Sequence, residues 1–204
     1  MHLKRMWIKL LTGKNKTISI DMFVSRKLRA DHIVDYVIYM WQVEDLIRAC
    51  NLDIDLVRKT LLPKYDVTDE EKRQLDKWYS ELVDMMLTEG LREKGHLNIV
   101  RIVMMQLEEL HHKLLSDQKE QIYASLYYQV LPYIVGLRKN STDLDRGEIE
   151  TCMDALYGFS LLKMQGKDVS KETTEALSRV GNFLTFLSER YKTKDDPEED
   201  MPVG

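Results

Sequence analysis

Proline, glycine and cysteine are scarce in this 204-residue chain, which contains 4 Pro, 9 Gly and 2 Cys. Because proline and glycine interrupt regular elements, their scarcity favours long helices. The two cysteines form no CxxC pair and have no histidine at metal-ligand spacing, which argues against a zinc site. Cys50 and Cys152 stand among apolar residues at helical spacing. This placement indicates buried thiols in a reduced, cytoplasmic protein, with a single disulfide between them as the alternative.

Acidic residues are nearly absent from the first 29 residues of the chain. From Met1 to Arg29 there are eight basic residues and only one acidic residue, whereas the remainder is acidic and the whole chain has a net charge of -4. An acidic body repels phosphate backbones, so the composition argues against nucleic-acid binding outside the amino-terminal segment. No apolar run reaches the roughly 18 residues that a membrane-spanning helix needs.

Residues 1–21 form a basic arm that precedes the helical pattern. Lys9 interrupts its apolar run and no small-residue cleavage site follows, so the arm does not read as a signal peptide. Basic residues mixed with Trp7 and Ile8 are typical of a weak tether to a membrane surface or nucleic acid. The alternative, which we favour, is that Met22 is the native start and that the arm is an over-extended reading frame.

Apolar residues recur at steps of three and four from about residue 25 to residue 191, which is the helical period. This pattern predicts an all-α protein, a single helical bundle of about seven helices, orthogonal or up-and-down. The helical domain is expected to span residues 22–192, with a disordered acidic tail over residues 193–204. The first helix is predicted over residues 25–50, and the fifth, kinked at Pro132, over residues 118–138.

Local signals fix several helix ends. Thr68 and Glu71 stand at capping-box spacing at the start of the third helix, and Gly90 marks its end. Asn51 or Asp53 is expected to cap the second helix. The fourth helix is predicted to bury Ile99, Val103, Leu107, Leu110 and Leu114 and to expose Arg101, Glu108 and Lys113. The fifth is predicted to bury Ile122, Leu126, Val130, Tyr133 and Leu137.

The histidines offer one candidate metal pattern, in which Glu108 and Glu109 each precede a histidine by three residues. Di-iron bundles use this ExxH spacing because residues three apart project towards a shared metal, but they need a second ExxH on another helix, and no other predicted helix carries one. His112 aligns with the outward face, and His111 only flanks the apolar stripe. We therefore expect no metal, no cofactor and no catalytic residues of a recognisable motif.

Glu44 is the one polar residue on the apolar stripe of the first helix. A carboxylate that points into a core must be paired or protonated, and Arg48 stands at the favourable spacing four residues later. Tyr39 belongs to a polar line, with His32, Asp35 and Gln42, beside this stripe. The structural interpretation is a polar helix edge with one internal ion pair. The functional interpretation is a polar pocket between the first and fifth helices, lined by Tyr39, Glu44, Arg48, Tyr128 and Tyr133.

Four stretches resemble segments of a known family: residues 39–49 (YMWQVEDLIRA), 89–97 (EGLREKGHL), 127–133 (YYQVLPY) and 150–157 (ETCMDALY). From residue 22 to about residue 191 the chain resembles a domain-of-unknown-function family of all-helical proteins from anaerobic gut bacteria. The resemblance implies a bacterial, cytosolic protein and carries over no catalytic residues. Members of that family begin near Met22, which agrees with the reading of the arm above.

These features favour a non-enzymatic helical module that binds a partner protein or a second copy of itself. The alternative is a small-molecule binder or an enzyme that uses the polar pocket. Nucleic acid is disfavoured as a partner, and so is a membrane except through the basic arm.

Overall fold

The computed structural model describes residues 21–139 and 146–194, of which 81% are helical, with no strand among them. The prediction of an all-α helical bundle is therefore confirmed. The predictions made for the arm before Asp21 and for the tail beyond Lys194 lie outside the described residues.

The described residues form eight α-helices and one 3-10 turn. In chain order these are α1 (Asp21–Asp31), α2 (Ile33–Ala49), α3 (Ile54–Thr60), the 3-10 turn (Leu62–Lys64), α4 (Asp69–Thr88), α5 (Asn98–Ser116), α6 (Gln121–Lys139), α7 (Glu148–Met164) and α8 (Lys171–Lys194).

The start signals read from the sequence are confirmed. At the start of α4 the Thr68 side chain accepts the Glu71 N–H, and the Glu71 carboxylate accepts the Thr68 N–H at 2.8 Å. Asp53 caps α3, because its carboxylate accepts two backbone N–H groups of the first turn. Each cap satisfies donors that a helix start otherwise leaves without an intrahelical partner.

The single first helix predicted over residues 25–50 is wrong, because α1 and α2 are separate and break at His32. No glycine or proline marks the break, so the helical period runs through it in the sequence. The carboxyl end of α2 has a clearer cause. Asn51 and Leu52 both adopt a φ of 56°, a left-handed conformation that cannot continue the helix.

The helices gather into two compact units. The first contains residues 21–31 and 35–102, and within it α4 packs against α1 and α3. The second contains residues 32–34 and 103–194 of the described chain, and within it α6 packs against α7 and α8. Cys50 lies in the first unit and Cys152 in the second; both are free and buried.

Two predicted apolar stripes need correction. On α5, Ile99 is exposed and its neighbour Val100 is buried instead. Both residues fit the step to Val103, one at four residues and one at three, so the period could not choose between them.

On α6 the predicted face is largely wrong. Ile122 and Leu137 are exposed, whereas Tyr123, Val130 and Ile134 are the buried residues. The helix is apolar around most of its circumference, so its period does not select the buried side. Pro132 lies inside α6, which continues to Lys139.

Candidate functional site

Glu44 lies on α2 with a fully buried side chain, as its place on the apolar stripe predicts. One carboxylate oxygen accepts the backbone N–H of Leu97 at 2.9 Å, and the other lies 2.6 Å from Nδ1 of His96. A guanidinium nitrogen of Arg48 lies 3.9 Å from the same carboxylate. The buried carboxylate thus joins α2 to the segment that precedes α5.

Arg48, one turn further along α2, also forms hydrogen bonds to the segment that precedes α5. Its Nε donates to the backbone carbonyl of Leu91 at 3.2 Å, and a terminal nitrogen donates to the carbonyl of Gly95. Gly95 has a φ of +94°, a conformation that L side chains rarely adopt. A further contact at 2.7 Å joins Arg48 to Asp45. Together, Glu44 and Arg48 hold the α4–α5 connection by hydrogen bonds to its backbone.

His96 completes this group, which we call the Glu44 cluster (Glu44, Arg48, His96 and Trp41). The imidazole stacks on the Trp41 indole with a centroid distance of 4.8 Å and an interplanar angle of 22°. Because a carboxylate can only accept, Nδ1 of His96 is the donor in this contact with Glu44. The imidazole is part exposed, so the arrangement is a histidine oriented by a buried carboxylate.

A second polar group, the His111 cluster (His111, Tyr123, Tyr127 and Glu148), lies in the second unit. His111 on α5 is fully buried, with Nδ1 at 2.7 Å from the Tyr123 hydroxyl and Nε2 at 3.3 Å from the Glu148 carboxylate. The rings of Tyr123 and Phe183 pack edge-on against the imidazole. Both ring nitrogens are thus hydrogen-bonded inside the core.

Burial sets the protonation of the His111 cluster. It lowers the pKa of His111, against the opposing effect of Glu148, and it raises the pKa of Tyr123. Burial and the Glu148 carboxylate together raise the pKa of Tyr127 to about 12. At neutral pH a neutral His111 therefore accepts a hydrogen bond from the Tyr123 hydroxyl at Nδ1 and donates one from Nε2 to Glu148.

We expect the buried His111 to make the protein sensitive to acid. Because its folded pKa lies below the ordinary 6.5, the unfolded chain takes up a proton that the folded chain resists, and stability falls as pH drops through 6.5. His111→Gln should remove up to about 1.4 kcal/mol per pH unit from the slope of unfolding free energy between pH 7 and pH 5. Urea unfolding across this range measures it. The control is the same substitution at the exposed neighbour, His112→Gln. Parallel plots of unfolding free energy against pH for wild type and His111→Gln would contradict the assignment of a neutral, buried His111.

Glu108 was predicted to point outward, and this is wrong. Its side chain is half-buried and accepts the backbone N–H groups of Ile149 and Glu150 at 2.8 and 3.3 Å, so it caps α7. The N-cap residue Gly147 has no side chain to do this, and a Cβ there would overlap the Glu108 carboxylate. Burial raises the pKa of Glu108, against the effect of these N–H groups.

The five residues proposed for a polar pocket are divided between the two units. Tyr39, Glu44 and Arg48 belong to the first, where Glu44 and Arg48 come together and Tyr39 is buried. Tyr128 and Tyr133 belong to the second, with Tyr128 exposed and Tyr133 half-buried. The pocket between the first and fifth predicted helices stays a prediction.

Sequence reasoning missed His96 and His111 as members of the two clusters. For His111 a signal existed, because it stands four residues after Leu107 and three before Leu114, within the buried stripe of α5. His96 lies in a connection whose shape no periodicity describes. Across the described ranges, no group of three His, Cys, Asp or Glu side chains is placed to hold a metal ion. Nor does any helix there combine the length and apolarity needed to cross a membrane.

Both clusters lie within the part of the chain that matches a known protein family. The family described as Domain of unknown function (DUF4924) matches residues 22–198. The chain belongs to this family. No curated protein and no solved structure matches this chain. The DUF4924 description names no activity.

Proposed function

We propose that this DUF4924 protein is a non-enzymatic helical module that associates with a second copy of itself through the outward face of α6. The main support for this contact is the composition of α6. No charged residue occurs from Gln121 to Leu137, in a chain of which 31% is charged. Ile122, Tyr128, Val135 and Leu137 nevertheless expose large apolar side chains on this helix. An uncharged helix that exposes several large apolar side chains is typical of an interaction site.

The shape of this face is suited to packing against the same face of a second copy of the chain. Tyr128, Pro132 and Gly136 follow one another at steps of four, so they form one ridge on the side of α6 away from the buried Val130. A Cβ at Gly136 would meet nothing within 4 Å, which makes this position an open notch. In an antiparallel pair related by a two-fold axis at Pro132, each Tyr128 ring lies opposite the Gly136 notch of the other copy.

Charge also favours an antiparallel pair. The only charged residues of α6, Arg138 and Lys139, stand in its last turn. An antiparallel arrangement places these two positive ends at opposite edges of the contact, so they do not repel each other. It also places the two helix dipoles side by side in opposite directions, which is a favourable arrangement. Tyrosine at the centre of such an uncharged contact is typical of interface anchors.

Tyr128→Glu is expected to weaken self-association by at least about 30-fold, because the substitution places a charge where the ring meets the notch. Analytical ultracentrifugation over a concentration series measures the dissociation constant. Met105→Glu is the matched control, since Met105 is 62% exposed on α5 and Tyr128 is 66% exposed on α6.

A second variant tests the notch itself. Gly136→Leu should weaken the dimer while raising the stability of the monomer, because leucine favours a helix over glycine by close to 1 kcal/mol. A monomeric wild type at all concentrations, or equal effects of Tyr128→Glu and Met105→Glu, would refute the proposed contact.

We also propose a cytoplasmic, bacterial setting for the protein. Two free, buried thiols are compatible with a reducing compartment, and the family resemblance supports the bacterial origin. Fractionation of source cells followed by immunodetection would test the compartment.

A further inference from the structure

The imidazole of His96 is held on several sides, although it lies in an irregular connection. Its Nδ1 is 2.6 Å from the carboxylate of Glu44, whose side chain is fully buried. One face of the ring stacks on the indole of Trp41, of which only 1% is exposed. The backbone beside the ring is held as well, because the other oxygen of the carboxylate accepts the N–H of Leu97. Support of this kind is typical of a side chain that presents one atom in a set direction.

The atom that His96 presents is Nε2. No described residue forms a hydrogen bond with it, and 30% of the side chain is exposed. Because Nδ1 is the donor to Glu44, the lone pair of the neutral ring lies on Nε2. Such a nitrogen can bind a metal ion or attack an electrophile. Within the described ranges, His96 belongs to no group of three side chains that could hold a metal ion, so the arrangement fits an electrophile better.

We propose that Nε2 of His96 is a phosphoryl acceptor, and that its donor carries an acyl phosphate or a phosphoramidate. Nε2 attacks the phosphorus atom and forms a P–N bond. The bond from phosphorus to the donor breaks, and its electron pair leaves with the donor as a carboxylate or a neutral amine. The proton on Nδ1 stays on the ring. This modification is compatible with a non-enzymatic module and does not depend on the α6 face.

The buried carboxylate of Glu44 suits this reaction because the product is a cation. Once Nε2 carries the phosphoryl group and Nδ1 keeps its proton, the imidazole ring is positively charged. The carboxylate lies 2.6 Å from Nδ1 and stabilises that charge as it develops. Its burial strengthens the attraction, since little water screens the two groups. Glu44 acts through His96 without touching the donor, so it is a positioning residue.

The connection that contains His96 also supplies cations for phosphoryl oxygens. Arg92 and Lys94 stand four and two residues before the histidine and are both exposed, with Glu93 as the acidic residue between them. Arg92 donates to the backbone carbonyl of Asn51 at 3.3 Å, and no described carboxylate forms an ion pair with Lys94. Guanidinium and ammonium groups are frequent partners of phosphoryl oxygens. They therefore favour a phosphoryl donor over a neutral electrophile.

Site-resolved phosphorylation of the folded, full-length chain tests the proposal. The probes are potassium phosphoramidate and acetyl phosphate, and mass spectrometry at alkaline pH reads each histidine separately. With at least one probe, Nε2 of His96 should react about tenfold faster than His112, which is exposed on α5 and has no described carboxylate hydrogen-bonded to it. In urea the two histidines should react at similar rates, because the folded chain no longer orients the ring. The probe that reacts identifies the class of donor.

Glu44→Gln tests the role of the carboxylate. The amide nitrogen can donate to Nδ1, which moves the ring proton to Nε2 and removes the lone pair from that atom. The rate at Nε2 of His96 should then fall by about tenfold or more, while the rate at His112 stays unchanged. Circular dichroism at the assay temperature shows that the variant is folded. Phosphorus NMR separates phosphorylation at Nε2 from phosphorylation at Nδ1, which a purely structural role of Glu44 does not control.

Equal rates at His96 and His112 in the folded wild type would overturn the proposal, and this comparison does not require any variant to fold. Phosphorylation of His96 at Nδ1 would also overturn it. The same holds if acetyl phosphate transfers its acetyl group in place of the phosphoryl group, or if folded Glu44→Gln reacts at Nε2 as fast as wild type.

Discussion

Glu44→Ala is expected to lower the free energy of unfolding by about 3–5 kcal/mol, because it removes a buried carboxylate that several groups share. The Leu97 N–H loses its acceptor, and His96 and Arg48 lose the negative charge beside them. The hydrogen bonds from α2 to the backbone of the α4–α5 connection are then reduced to the two carbonyl contacts of Arg48. Denaturant unfolding with a linear extrapolation measures the loss.

Glu44→Gln separates the acceptor from the charge. The amide oxygen can still accept the Leu97 N–H, but the amide nitrogen then faces the donors of His96 and Arg48. We expect an intermediate loss of about 1–3 kcal/mol.

Asp45 provides the matched control for this pair of variants. It contacts the same arginine at 2.7 Å, but its side chain is 51% exposed. Asp45→Ala should therefore cost less than about 1 kcal/mol. A loss for Glu44→Ala as small as that for Asp45→Ala would mean that the buried contacts of Glu44 contribute nothing beyond a surface ion pair.

Phe183→Ala is expected to cost about 3–5 kcal/mol, since it opens a cavity among rings that cannot all move to fill it. Phe183 on α8 is fully buried, with its ring centroid 5.3 Å from that of Tyr123 and 5.9 Å from that of His111. Both neighbours are hydrogen-bonded to each other, which restrains their collapse into the space. Thermal and denaturant unfolding should both register the change.

Phe186, one turn further along α8, is the control for ring removal. Its ring is half-buried and has the Arg190 guanidinium 4.8 Å from its centroid. Phe186→Ala should cost at most about 2 kcal/mol, because less apolar area returns to water and the site opens towards solvent. Equal losses for the two alanine variants would contradict the view that the His111 cluster forms a rigid part of the core.

Much of the local structure could be predicted from the sequence alone. The helical period and the scarcity of proline and glycine determine the all-α class, and the caps at Thr68 and Asp53 determine where two helices begin. These signals act over one or two turns, so they are present in the sequence itself. Glu44 belongs to the same group, because a carboxylate on an otherwise apolar stripe needs a partner wherever the stripe packs.

Tertiary structure alone decided which face each helix buries when more than one face is apolar. The period of α6 allows Ile122 as readily as Tyr123, and only packing against α7 and α8 selects Tyr123. It also decided the partners of Glu44. Arg48 follows from spacing, but His96 comes from a connection 52 residues away, whose path depends on two glycines with positive φ.

The difference between local spacing and tertiary packing also explains the positions of Glu108 and His111. Three residues apart on α5, they look like half of a metal site in the sequence, yet Glu108 caps α7 and His111 bonds to Tyr123 on α6. Side-chain spacing along one helix determines which groups point the same way. What they meet there depends on other helices, whose placement follows from the burial of all the apolar faces at once and not from any local pattern.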